Sequence, residues 1–191
     1  MRSTHLPSAD LVATSWKNHD LPCLTVYANI GHRNSLPNWG VEALGFVVMG
    51  ILLVVLDQGT KLLAVKHLQP GSTLVLPGNL VYLTLVRNPG AAFGILAHAT
   101  PFLVLLTLGV LAIVWVNRRK LKDQPTLLKL GLCLGLAGAV GNLVDRVRLG
   151  YVVDFVDLRF WPVFNVADMG IVAGVLILLW LLIVQGRHEK L

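Results

Sequence analysis

The chain has 191 residues, of which 55% are hydrophobic and only 14% charged, with a mean hydropathy of +0.70. This excludes an ordinary water-soluble domain and indicates a membrane protein. The formal net charge of +6 does not mark a nucleic-acid binder, because Arg118, Arg119, Lys120 and Lys122 crowd into one short segment between apolar stretches, the pattern of a loop retained on the cytoplasmic side of a bilayer.

Residues 1–40 are polar, with scattered Pro, Asn and His and no apolar core, so they do not resemble a cleavable signal peptide and are expected to be a flexible, cytoplasmic extension. Cys23 in this segment and Cys133 inside a later apolar run lie in unlike surroundings, and no disulfide is expected. The first span is predicted from about Val41 to Val65 and contains LDQGTKLLAV. There Asp57 and Lys61 are spaced i, i+4 on one helix face with the acid first, the favourable order for an ion pair. Such a pair serves either as a helix-end brace or as a source of positive charge near the outer face.

The segment from Lys66 to Ala99 holds two β-prone runs, Leu74 to Leu76 and Leu80 to Val86, bracketed by Pro77, Gly78, Asn88, Pro89 and Gly90. A small hairpin or sheet is predicted, whose open edge could receive an extended peptide. The second span is predicted from about Pro101 to Val116 and the third from about Thr126 to Val144. Gly131, Gly135, Ala137, Gly138, Ala139 and Gly141 give the third span the small residues that let helix backbones approach closely, with room left for a substrate beside its outer end. The fourth span opens at FNVADMG and carries no charge between Asp168 and Arg187, which puts Asp168 in its first turns. Residues 41–186 thus read as one all-α membrane domain of four transmembrane helices, with a small extracytoplasmic β-hairpin or sheet between spans one and two, followed by a cytoplasmic tail at 187–191.

With the basic loop inside, an even number of spans puts both termini in the cytoplasm and Asp154 outside, although Arg87, Arg146, Arg148 and Arg159 then also lie on the outer side. Several chemistries lack their residues. The last serine is Ser72, no HExxH is present, the six histidines are scattered, and Cys133 has no histidine near it, which disfavours serine, zinc and cysteine hydrolases. Beyond the tail and the basic loop, Asp57, Asp145, Asp154, Asp157 and Asp168 are all predicted at the outer side, where ionisable groups beside the hydrocarbon mark a functional site. Two close aspartates share a proton, so that one can activate water while the other protonates a peptide carbonyl. Asp145, next to Arg146 and near Arg148, reads as a salt-bridged structural acid, and Asp157 as a solvated loop residue. Spacing favours Asp154 with Asp168 only modestly and leaves Asp145 with Asp168 open.

Four ordered blocks, DQGTK at 57–61, RNPGAAFG at 87–94, GAVGNLVDR at 138–146, and VVDF with FNVAD at 152–155 and 164–168, resemble those of the lipoprotein signal peptidases, or signal peptidase II, over about Val41 to Val184. The resemblance implies an aspartic endopeptidase of the bacterial cytoplasmic membrane that cuts prolipoproteins before their lipid-modified cysteine. It implies Asp154 and Asp168 as the catalytic pair. Asn142, Asn165 and Asn88 become substrate-binding or supporting residues, and Asp57, Lys61, Asp145 and Arg146 an ion-pair scaffold. It implies lipid-modified prolipoproteins and the phospholipid bilayer as partners; no metal, other cofactor or nucleic acid is expected, and the chain is expected to act as a monomer. Ala137 stands where the family often has glycine, the segment from Asp154 to Asn165 is short, and residues 1–40 have no counterpart in the pattern. Two rivals are a proton-coupled transporter using Asp57 and Asp168, disfavoured by the absence of an internal repeat, and a scaffold whose aspartates only pair with arginines.

Overall fold

The structure, a computed structural model, describes residues 39–90 and 99–188. Almost all of the N-terminal extension with Cys23, the Ala91 to Gly94 half of the RNPGAAFG block, and residues 189–191 lie outside the described residues. Among the described residues four helices are long and apolar enough to cross a membrane: α1 (Trp39–His67), α2 (Thr100–Asn117), α3 (Thr126–Leu149) and α4 (Val166–His188). At a rise of 1.5 Å per residue, each reaches most or all of the way across a hydrocarbon layer about 30 Å thick. Pro101 sits in the first turn of α2, where its missing N–H leaves no intrahelical bond unmade. Gly150 ends α3 in the left-handed conformation, at φ 81°, with its N–H on the Arg146 carbonyl at 3.1 Å. The third helix therefore runs five residues beyond the predicted Val144 and carries Asp145 and Arg146 within it.

Three antiparallel strands, β1 (Thr73–Val75), β2 (Tyr82–Asn88) and β3 (Val152–Asp157), form one sheet with β2 in the middle. The predicted hairpin is thus present, shifted by one or two residues, but the third strand comes from the segment between α3 and α4. It pairs Asp154 opposite Val86 across an irregularity in register between Leu83 and Val86. Sequence pattern hides β3 because VVDFVD puts an aspartate among apolar residues on both faces of the pleat. Its outer side is partly closed by Phe164, whose backbone exchanges hydrogen bonds with Val156 at 2.8 and 3.0 Å. Asp157, expected to be a solvated loop residue, is instead buried in this strand, accepting the Thr84 hydroxyl at 3.0 Å and the Arg159 N–H at 2.8 Å.

Burial runs opposite to that of a water-soluble bundle. Large apolar side chains along all four helices are exposed, while Asp57, Lys61, Asn142, Asp145, Asp154 and Asn165 are buried, as a lipid solvent requires. A small apolar cluster of Ala64, Leu68 and Phe155 seats the sheet on α1. The close approach made possible by Gly131 and Gly135 of α3 is taken up by α4. A Cβ on Gly174 would stand 2.5 Å from the Gly131 carbonyl and 2.6 Å from the Gly135 nitrogen.

Substitution Gly174→Ala should therefore force α3 and α4 apart and cost about 1–3 kcal/mol. Gly109→Ala on α2, where an added Cβ meets nothing within 4 Å, should cost nothing. Melting temperatures in detergent check the pair, and an unshifted Gly174→Ala would contradict the packing described.

Candidate active site

Lys61 is buried, and its ammonium makes three contacts at 2.9 Å: Asp57 Oδ2, Asp145 Oδ2 and Asn142 Oδ1. An ammonium has three N–H donors, so each has a partner. Asp57 uses its other oxygen to accept the Ala167 N–H at 2.8 Å, joining α1 to the first turn of α4, where amides lack intrahelical acceptors. Asp145 accepts the Val153 N–H at 3.1 Å and so positions β3. Gln58, which sequence reasoning passed over, bridges Asp57 and Asp145 at 3.1 and 2.9 Å and also donates to the Gly141 carbonyl at 3.2 Å. Its signal lay in the DQGTK block itself. The i, i+4 pair of the sequence is thus present, but Asp145 is paired with Lys61 and not with Arg146. Neighbouring residues on a helix point about 100° apart. Arg146 donates instead to the Gly90 carbonyl at 3.1 Å.

Because the Asn142 carbonyl oxygen faces Lys61, its amide N–H group faces the other way and donates to Asp168 Oδ1 at 2.7 Å. Asn165 and Asp168 form a reciprocal pair at the start of α4: the Asp168 N–H donates to Asn165 Oδ1 at 2.9 Å, and the Asn165 N–H to Asp168 Oδ2 at 3.2 Å. This is the geometry of a capping box. The Asn165 side-chain amide is thereby fixed and donates to Asp154 Oδ1 at 2.6 Å, with longer contacts to Asn142 Oδ1 at 3.2 Å and the Val153 carbonyl at 3.3 Å. Asn88 is oriented in the same way. Its Oδ1 accepts the Gly90 N–H at 3.0 Å, so its N–H group donates to Asp154 Oδ2 at 2.9 Å.

Every carboxylate oxygen of Asp154 and Asp168 thus has an amide donor, and none of the ion pairs among the described residues involves either aspartate. A pure ion-pair scaffold would have put arginines there. Asp154, on β3 outside the spans, is pushed up to about 6. Burial is the main cause and the Asp168 charge adds to it, against the lowering by Asn88, Asn165 and Lys61. Among the described residues no group of three His, Cys, Asp or Glu side chains could hold a metal ion.

A cavity of about 250 Å³ is lined by Asn88, Asn142, Arg146, Asp154, Trp161 and Asp168. It shares Trp161, Phe164, Asp168 and Val172 with an apolar groove of about 400 Å³ that continues along α4 past Met169 to Leu176. Larger apolar grooves elsewhere on the bundle contain neither aspartate. The site therefore combines a buried and a half-buried carboxylate lining one cavity, oriented amide donors and an opening to the lipid-facing surface. These are the parts needed to activate water against a carbonyl on a chain arriving from the bilayer.

The chain is similar to known proteins in sequence and in fold. A family model described as signal peptidase (SPase) II matches residues 49–184. A lipoprotein signal peptidase of Moorella thermoacetica is 48% identical over 147 residues, 75% of this chain and 98% of its own. One of Pelotomaculum thermopropionicum is 42% identical over 138 residues, 72% of this chain and 90% of its own. A bacterial membrane enzyme solved by the in meso method at 2.3 Å superimposes with a TM-score of 0.70 at 28% identity, over 76% of this chain and 91% of that one.

Removing Lys61 would leave Asp57 and Asp145 buried without their counter-charge. Lys61→Met should cost about 3–5 kcal/mol of stability, read as a lowered melting temperature. A variant melting with the parent would contradict the central role of the ammonium.

Proposed function

Because the chain belongs to the signal peptidase II family, we propose that this peptidase of the bacterial inner membrane removes signal peptides from prolipoproteins by water activation on an aspartate dyad, cutting before the diacylglyceryl-modified cysteine. The observation that carries the mechanism is the shared hold of Asn165. Its side-chain amide meets Asp154 at 2.6 Å and its backbone N–H meets Asp168 at 3.2 Å, so one residue sets both carboxylates against one cavity.

The dyad begins with one proton. The ionised carboxylate removes a proton from water as the water oxygen attacks the scissile carbonyl carbon, and the protonated carboxyl gives its proton to the carbonyl oxygen. The tetrahedral adduct then collapses, the C–N bond breaks, and a proton passes to the leaving amine of the lipidated cysteine. The signal peptide departs with a new carboxylate. The titration belongs to the pair and not to either aspartate. Asn88 and Asn142 hold the carboxylates, while Asp57, Lys61, Asp145 and Gln58 brace Asn142 and the start of α4. Arg146 tethers the loop after β2. The apolar groove past Met169 and Leu176 suits a substrate whose acyl chains and apolar helix stay in lipid, which raises its local concentration and fixes its register.

The same reading assigns residues 41–186 to the peptidase body, acting as a monomer without nucleic acid. Residues 1–40 and 187–191 are cytoplasmic, and the dyad lies near the outer face. A proton-coupled transporter is disfavoured because Asp57 is committed to Lys61 and the Ala167 N–H.

Asp154→Asn and Asp168→Asn should each lower cleavage of a lipidated precursor about a thousandfold or more, with the protein still in the membrane; full cleavage by Asp154→Asn would sink the dyad. Activity should survive EDTA, and loss restored by zinc would overturn the metal-free scheme. Asn88→Ala removes a donor that lowers the Asp154 titration. The alkaline limb of kcat/KM, where the shared proton is lost, should move to higher pH. An unmoved or lowered limb would contradict the role of Asn88.

A further inference from the structure

At the end of the bundle opposite the aspartates, α1 and α2 both pack on α3 and leave between them a groove of about 550 Å³. Lys129, at its mouth, is sixteen residues before Asp145 on α3, about 24 Å along the helix axis. The walls are apolar, from Ala43, Phe46 and Val47 on α1, Val114 on α2, and Leu132 and Leu136 on α3. The mouth is not: Arg118, Lys122 and Lys129 line it with a single carboxylate, Glu42. Glu42 stands 3.7 Å from Lys129, so the rim keeps an excess of positive charge. Arg118 is held with its guanidinium 4.4 Å from the centre of the Trp115 ring and one N–H on the Trp115 carbonyl at 2.9 Å. Trp115 is itself exposed, as a tryptophan at the boundary between lipid and water is.

We propose that this groove is a binding site for an anionic phospholipid, with an acyl chain on Phe46, Val114 and Leu136 and the phosphate on Arg118 and Lys122. From Lys129 to Leu136 the groove descends about 10 Å, two-thirds of the roughly 15 Å of one hydrocarbon leaflet. The apolar part therefore matches an acyl chain and the basic part the level of its headgroup. A planar guanidinium binds phosphate oxygens in pairs, and each basic group near an anionic leaflet adds to the attraction. A protein partner's apolar helix would bring no anionic group to Arg118 and Lys122 at the mouth. The site is independent of the dyad and lies in the leaflet that the basic loop faces.

Native mass spectrometry of the full chain, released from micelles holding phosphatidylglycerol and phosphatidylcholine in equal amounts, tests it. Wild type should carry phosphatidylglycerol on the order of tenfold more often. Arg118→Gln with Lys122→Gln should bring the two lipids near parity, whereas Arg119→Gln with Lys120→Gln, on loop residues that do not line the groove, should keep the preference. Ala43→Phe, which fills the groove and leaves the charges in place, should lower retention of both lipids. Parity in wild type, equal loss in the two double variants, or full retention in Ala43→Phe would each overturn the proposal.

Discussion

One ammonium group organises this protein. Lys61 brings a positive charge into the bundle, where an unpaired ion would cost several kcal/mol, and its three donors go to groups on two helices: Asp57, Asp145 and Asn142. Each partner then uses its remaining polar atoms to fix another element. Asp57 holds the start of α4 and Asp145 holds β3. Asn142, its oxygen taken by Lys61, has its N–H group turned to Asp168. Strand, helix start and carboxylate are therefore positioned from one point.

Asp168, one of the two aspartates of the proposed dyad, sits at a helix start. The Asn165 and Asp168 capping arrangement is an ordinary solution to the unbonded amides of a first turn, yet it also aims the Asn165 side chain at Asp154. Gly141 is part of the same geometry, since a Cβ there would stand 2.7 Å from Asp57 Oδ2. A side chain at that position would push α3 off the α1 cluster. Stability and chemistry thus draw on the same hydrogen bonds, which favours a rigid site.

The spans were legible because each is a predominantly apolar run long enough to cross a bilayer, and the pairing of Asp57 with Lys61 because i, i+4 spacing is local. Asp145 was misread for an equally local reason. Its sequence neighbour Arg146 points to another side of the helix, and its true partner is 84 positions away. Strand β3 was missed because its aspartates break alternation on both faces, and Asp157 was misplaced with it. Spacing favours Asp154 over Asp145 only modestly, and the choice between them rests on the four-block resemblance. The contacts that distinguish it, from Asn88 66 residues earlier and Asn165 eleven residues later, leave no periodic trace.

Infrared titration of the carboxyl groups tests whether Asp154 and Asp168 act as one coupled pair. In wild type a protonated carboxyl band should disappear with a midpoint near the value of about 6 to which Asp154 is raised. Part of that rise is the charge of Asp168, so in Asp168→Asn the Asp154 band should titrate at lower pH. A midpoint unchanged by Asp168→Asn would mean that the two aspartates do not share a proton, and would contradict the account.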